Sequence, residues 1–94
     1  MTEKKWCLYR HISPSGKVYI GITSKRPYIR WGLNGNNYIS SRAFYNAILK
    51  YGWDNIKHEV LFLDLGENKA KELEMSLISH YKKLGISYNI TDGG

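Results

Sequence analysis

The run Trp6-Cys7-Leu8-Tyr9-Arg10-His11-Ile12, the turn-forming stretch Ser13-Pro14-Ser15-Gly16, and the run Lys17-Val18-Tyr19-Ile20-Gly21-Ile22-Thr23 decide the fold. Both outer runs alternate. In the first, Trp6, Leu8, Arg10 and Ile12 fall on one side, with Cys7, Tyr9 and His11 on the other. In the second, Val18, Ile20 and Ile22 face one way, and Tyr19 and Gly21 the other. A proline and a glycine between them supply the turn chemistry of a β-hairpin. If both aliphatic faces point to one core, Tyr9 and Tyr19 share the opposite face. Tyr9 then lies across from, or diagonal to, Gly21 and Tyr19, within side-chain reach.

Working outward, residues 24–26 form a basic loop, and Pro27 suits the first turn of a short helix over 27–33. Asn34-Gly35-Asn36-Asn37 ends it with turn residues. Ser40 or Ser41 can cap a second helix running to Tyr51, whose apolar stripe is Phe44, Ile48 and either Tyr45 or Leu49. Gly52 fits the position just past its end. Residues 56–63 alternate well enough for a third strand. Asp64-Leu65-Gly66 then turns the chain into a long helix over 67–84, which Gly85 ends. Residues 88–90 read as a short final strand or extended segment.

A chain of 94 residues makes one small domain, 1–94, too short for two cores. Its 43% hydrophobic and 14% aromatic content place it among folded chains. No run of about 18 apolar residues is present to span a membrane. The start, Met1-Thr2-Glu3-Lys4-Lys5, has no apolar signal core, which points to the cytoplasm. Cys7 is the single cysteine, so no internal disulfide can form, and no Cys/His cluster has zinc-ligand spacing. His11, His58 and His80 are scattered and read as surface or hydrogen-bonding residues. Lys and Arg number 14 against 8 acids, a net +6. That excess favours a polyanion partner through counterion release, or is a plain solubility charge; charge alone does not choose.

Glu74 breaks the binary pattern. In the long helix Ala70, Leu73, Leu77, Tyr81 and Leu84 line one face at three- and four-residue steps. Glu74 stands four after Ala70 and four before Ile78, so it projects with the apolar residues. A buried carboxylate is costly unless it meets a cation, a metal or several donors. Two readings stand: an ion pair at the stripe's edge, or a carboxylate emerging in a cleft where a hard divalent cation is its natural partner. Arg30, beside Lys25-Arg26 and before Trp31, is either an exposed helix cation or a fork aimed at a phosphate. Asn89 alone reads as a turn or cap residue.

Taken in order, Tyr9, Val18-Tyr19-Ile20-Gly21, Arg30-Trp31, Glu74 and Tyr88-Asn89 resemble the GIY-YIG nuclease domain, over nearly the whole chain from Trp6 to Asn89. The second motif is intact in Tyr19-Ile20-Gly21. The first departs, because Cys7-Leu8-Tyr9 stands where the family has Gly-Ile-Tyr and keeps only the tyrosine. The stretches 19–23 and 51–55 look most like the homing-endonuclease and phage branch. The resemblance implies a small α+β domain with a three-stranded antiparallel sheet flanked by helices, in agreement with the elements above. It also implies a metal-dependent DNA endonuclease.

On that resemblance the catalytic residues are Tyr9, Tyr19, Arg30, Glu74 and Asn89. Glu74 binds Mg²⁺ or another divalent cation such as Mn²⁺. The two tyrosines position the attacking water and one takes its proton. Arg30 holds the scissile phosphate, and Asn89 holds a phosphate oxygen or orients Glu74. Lys25, Arg26 and Arg42 contact the DNA backbone. Tyr38 is the candidate for a position after the arginine where many members place histidine, lysine or tyrosine, and is counted with the DNA-contacting residues. The partner is then DNA and the domain a monomer, either free-standing or cut from a longer protein with its own DNA-reading region. The rivals are a basic DNA- or RNA-binding module without chemistry, and a protein-interaction domain using Trp31, Tyr38 and Trp53 as exposed aromatics.

Overall fold

The computed structural model describes residues 4–89. Strand β1 is Trp6–Ile12 and β2 is Val18–Thr23. Helix α1 is Pro27–Trp31, followed by a 3₁₀ stretch at Leu33–Tyr38 and helix α2 at Arg42–Tyr51. A single 3₁₀ turn at Trp53–Asn55 leads into β3, Lys57–Leu65, and the long helix α3 is Glu67–Lys83. The three strands form one antiparallel sheet in the order β2-β1-β3. The fold is α+β, as expected.

The hairpin closes through Gly16, whose φ of 87° is open to glycine at little cost, and through a 2.9 Å bond from its N–H to the Ser13 carbonyl. Its register sets Tyr9 opposite Gly21 and His11 opposite Tyr19. As the central strand, β1 is covered on both faces. Leu8 packs with Val18, Ile20 and Ile78 beneath α3. Cys7 and Tyr9 pack with Tyr38, Phe44, Ala47, Ile48 and Ile56 on the other side. Each fully buried aliphatic side chain there contributes roughly 1.5–3 kcal/mol.

The helices differ from expectation in their ends. Helix α1 stops at Trp31 because Gly32 takes φ 78° and turns the chain. Asn34 and Gly35 are also at positive φ, so the next residues coil as 3₁₀ turns. Ser41 occupies the N-cap of α2, but its side chain makes no cap bond. Of the two stripes open for α2, the Tyr45 side is realised and Leu49 is left exposed. On α3 the buried line is Ala70, Glu74 and Ile78, with Leu73, Leu77 and Tyr81 flanking it; Leu84, expected in the stripe, is 58% exposed. Of the expected final segment, Tyr88 and Asn89 follow an isolated parallel bridge between Ser87 and Val18 and form no strand themselves, and Ile90 lies outside the described residues.

The outer edge of β2 does not face solvent bare. The Val18 N–H donates to the Ile86 carbonyl at 2.7 Å, and the Tyr88 N–H to the Val18 carbonyl at 2.8 Å. Two residues further, the Asn89 side chain takes over. Its Nδ2 donates to the Ile20 carbonyl at 2.9 Å and its Oδ1 accepts from the Ile20 N–H at 3.0 Å. A side-chain amide thus stands in for a strand residue along the otherwise open edge.

Candidate active site

The sheet face under α1 and α2 carries the polar chemistry. The Tyr9 ring lies across Gly21, and a methyl group placed on that glycine would be driven onto the Tyr9 hydroxyl. Glycine at 21 is therefore a steric condition for the tyrosine, with no call on its backbone freedom. Tyr19 lies almost flat on Phe44, ring centroids 4.8 Å apart, and edge-on to Tyr38 at 5.1 Å.

Tyr9 is 1% exposed, and burial pushes its hydroxyl up to about 12. The nearby Tyr38 hydroxyl and the Arg30 charge pull it down, while Tyr19 and the Glu74 carboxylate push it further up. Three of the expected site residues, Tyr19, Arg30 and Glu74, therefore bear on the hydroxyl of a fourth, Tyr9. Arg30 reaches there from the last turn of α1, with its guanidinium carbon 5.2 Å from the centre of the Tyr38 ring. Glu74, in the middle of α3, is 9% exposed, and its charge bears on Tyr9.

One expectation is corrected and one is placed. Asn89 commits one donor and one acceptor of its amide to the Ile20 backbone, so it holds β2 in place. Tyr38 is fully buried beneath the aromatic cluster, so it is neither a surface DNA contact nor an exposed docking aromatic. Trp31 and Trp53 are likewise half-buried against that cluster. Lys25, Arg26 and Arg42 are exposed, and Arg26 donates to the Tyr28 hydroxyl at 3.0 Å.

The histidines are where sequence reading fell short. His11 and His58 do make hydrogen bonds, but to each other, Nδ1 to Nδ1 at 2.8 Å. His11 Nε2 lies 2.8 Å from the Tyr38 hydroxyl, and His58 Nε2 is 2.9 Å from the Trp53 carbonyl. His11 is completely buried, its ring stacked on Phe44 at 5.1 Å, and His58 is stacked on Trp53 at 3.8 Å. Burial, then the neighbouring His58 and Arg30, hold His11 down at about 2. Burial lowers His58 as well, against the pull of the Trp53 carbonyl and Asp54. Both rings are therefore neutral near pH 7. The alternation of β1 had put His11 on the tyrosine face; its partner, 47 residues away, becomes visible only once β3 is paired with β1.

Among the described residues no three His, Cys, Asp or Glu side chains gather into a metal cage. Among the described residues Glu74 is the carboxylate whose charge bears on Tyr9; the other polar groups of the cluster are phenols, the Arg30 guanidinium, and the His11 and His58 imidazoles, whose ring nitrogens are all engaged in hydrogen bonds. That donor set fits a hard cation that keeps most of its waters and takes the rest of its oxygens from a phosphate, as Mg²⁺ does. It does not fit a zinc or copper centre. A groove of about 670 Å³ lies elsewhere, between the 3₁₀ stretches and α2, lined by Leu33, Asn36, Tyr45, Leu49 and Trp53 among others. No helix among the described residues is long and apolar enough to cross a membrane. No protein-family model matches the chain, and no curated protein or solved structure matches it.

Proposed function

We propose that this protein is a divalent-metal-dependent endonuclease that hydrolyses phosphodiester bonds in DNA, a catalytic module of the GIY-YIG kind. The observation that carries this reading is the gathering of Tyr19 and Arg30 against the Tyr38 ring, with Tyr9 packed over Gly21 on the same sheet face and a buried helix carboxylate, Glu74, whose charge bears on Tyr9. A core needs no carboxylate in the centre of an apolar stripe, and burying one is costly. The net charge of +6 and the exposed Lys25, Arg26 and Arg42 suit a phosphate backbone.

Each residue has a distinct task in this reading. Glu74 would hold the cation, which when bound supplies charge neutralisation at the phosphate and the leaving oxygen. Arg30, positioned by the short α1 and the Tyr38 ring, grips the phosphate and offsets the charge that builds in the transition state. Tyr9 and Tyr19 orient the attacking water. Asn89 secures the edge of the strand that carries Tyr19. A binding module without chemistry accounts for the charge but leaves this gathering without a purpose.

The test is relaxation of supercoiled plasmid in Mg²⁺ with EDTA as control. Wild type should nick only with metal. Glu74→Ala and Arg30→Ala should lose at least about 100-fold in rate while circular dichroism and melting report a folded chain. A folded Glu74→Ala that nicks like wild type sinks the assignment.

A further inference from the structure

We infer that the cleft between the hairpin turn and helix α2 is a phosphate-binding subsite, where Lys17, Lys50, Asn46 and the Ser15 hydroxyl hold a backbone phosphate of the DNA outside the bond that is cut. This rests on the nuclease reading for the identity of the ligand.

The cleft measures about 230 Å³, and no carboxylate stands among its lining residues. Helix α2 gives it a low floor with alanine at 43 and 47. On the same helix Arg42, Asn46 and Lys50 recur at four-residue steps, so one stripe carries two cations with an amide between them. The Tyr51 ring, 5.2 Å from the Lys50 nitrogen, steadies that side chain. Lys17 brings a second ammonium to the cleft from the hairpin. The dipole of α2 accounts for a lysine in its last turn, but not for the one the hairpin adds. Neither Lys17 nor Lys50 is paired with a carboxylate among the described residues.

Three hydroxyls at the edge of the cleft add a donor with no good acceptor of its own. The Tyr88 hydroxyl donates to Ser13 Oγ at 2.7 Å. Ser13 is buried, and Ser15 Oγ, 2.8 Å away, is the acceptor within reach of its hydrogen among the described residues. The Ser15 hydrogen is then left with the Tyr88 oxygen at 3.5 Å, the outer limit of a hydrogen bond. Ser15 is exposed and lines the cleft, so its hydrogen can turn to a better acceptor there. Two ammoniums, this hydroxyl and the Asn46 amide all donate, and a phosphate oxygen takes such bonds with the added strength of charge. The place also suits the substrate. Tyr88 packs on Phe44 with ring centroids 5.6 Å apart, and Phe44 lies on Tyr19 at 4.8 Å. The cleft is thus one ring removed from Tyr19, where a phosphate beyond the cleaved bond would position the DNA.

The subsite is read by fluorescence anisotropy of a labelled DNA duplex in EDTA, so that binding is measured without cutting. Lys17→Ala combined with Lys50→Ala should lower the slope of log K against log[salt] by about 0.9, the loss of one phosphate contact, with an unchanged melting curve. Ser15→Ala should weaken binding about 5-fold and leave the slope as it is, because it removes a donor and no charge. Lys69→Ala combined with Lys71→Ala removes the same charge from α3, which covers the opposite face of the sheet, and should leave the slope unchanged. A Lys17/Lys50 double variant with the wild-type slope overturns the subsite, and so does an equal fall in both double variants; plasmid nicking by the wild type would still uphold the nuclease reading. If the slope falls as expected and the wild type never nicks in Mg²⁺, the subsite stands and the nuclease reading fails. A wild type that binds no DNA overturns both.

Discussion

The two faces of one strand are built to different rules. Beneath α3, β1 presents Leu8 to Val18, Ile20 and Ile78, aliphatic groups with no polar atom to satisfy. Beneath α1 and α2, the same strand presents Tyr9 and His11 to Tyr19, Tyr38 and Phe44, and the buried rings Tyr9, His11 and Tyr38 bring polar atoms into the core. Around Leu8 the first face gains stability from apolar contact, with Arg10 at its margin donating to Glu59 and the Tyr81 hydroxyl. The second spends part of that gain on desolvated hydroxyls and imidazoles and recovers it only while the hydrogen-bond chain is intact. The buried rings whose titration the fold shifts, Tyr9 and His11, therefore belong to the second face, while Leu8 and its aliphatic neighbours carry no titrating group.

The contrast breaks most sharply at Leu8. Leu8→Ala should cost about 2–5 kcal/mol in urea unfolding, with the dependence of stability on pH unchanged. Acid acts on the opposite face. Because the fold holds His11 far below its ordinary value, His11 stabilises the protein fully above pH about 6.5, and that contribution is lost as pH falls from there toward 2. Melting curves should show a loss of up to about 1.4 kcal/mol per pH unit below 6.5, a slope that His11→Phe removes. Tyr9 mirrors this at the alkaline end, where its contribution is present below pH 10 and lost between 10 and about 12.

Gly21→Ala tests whether the polar face tolerates added volume. A methyl group against the Tyr9 hydroxyl should cost about 1–3 kcal/mol by thermal melting and lower nicking with it. Asn89→Ala removes the clamp on Ile20 and should cost on the order of 1 kcal/mol, seen as faster amide exchange at Ile20. The smallest effect belongs to Lys25→Ala, which lies on neither face. It should weaken DNA binding evenly across sequences and reduce the salt slope by about 1, leaving stability unchanged.

Period-two alternation made the hairpin legible, because its two faces differ in every residue pair from Leu8/Tyr9 onward. Glu74 was legible for the opposite reason, as a charge where the helical period demands an apolar group. Its stripe was drawn one step too far round, through Leu84, since leucines look more like core than the Ala70–Glu74–Ile78 line that is in fact buried. The short 3₁₀ stretch gave no periodic signal, so nothing in the sequence marked Tyr38 as buried. His58 was hidden by distance along the chain, and Asn89 by chemistry, since an amide imitating a strand leaves no pattern.

The clamp at the edge of β2 also has a bearing on synthesis. A chain emerging from the ribosome makes both tyrosine strands early, but the outer neighbour of β2 is residues 86–89. Until those residues are out, Tyr19 sits on a strand held from one side only. The strand that carries Tyr19 therefore gains its outer partner only after the whole of α3, with its carboxylate, has been synthesised.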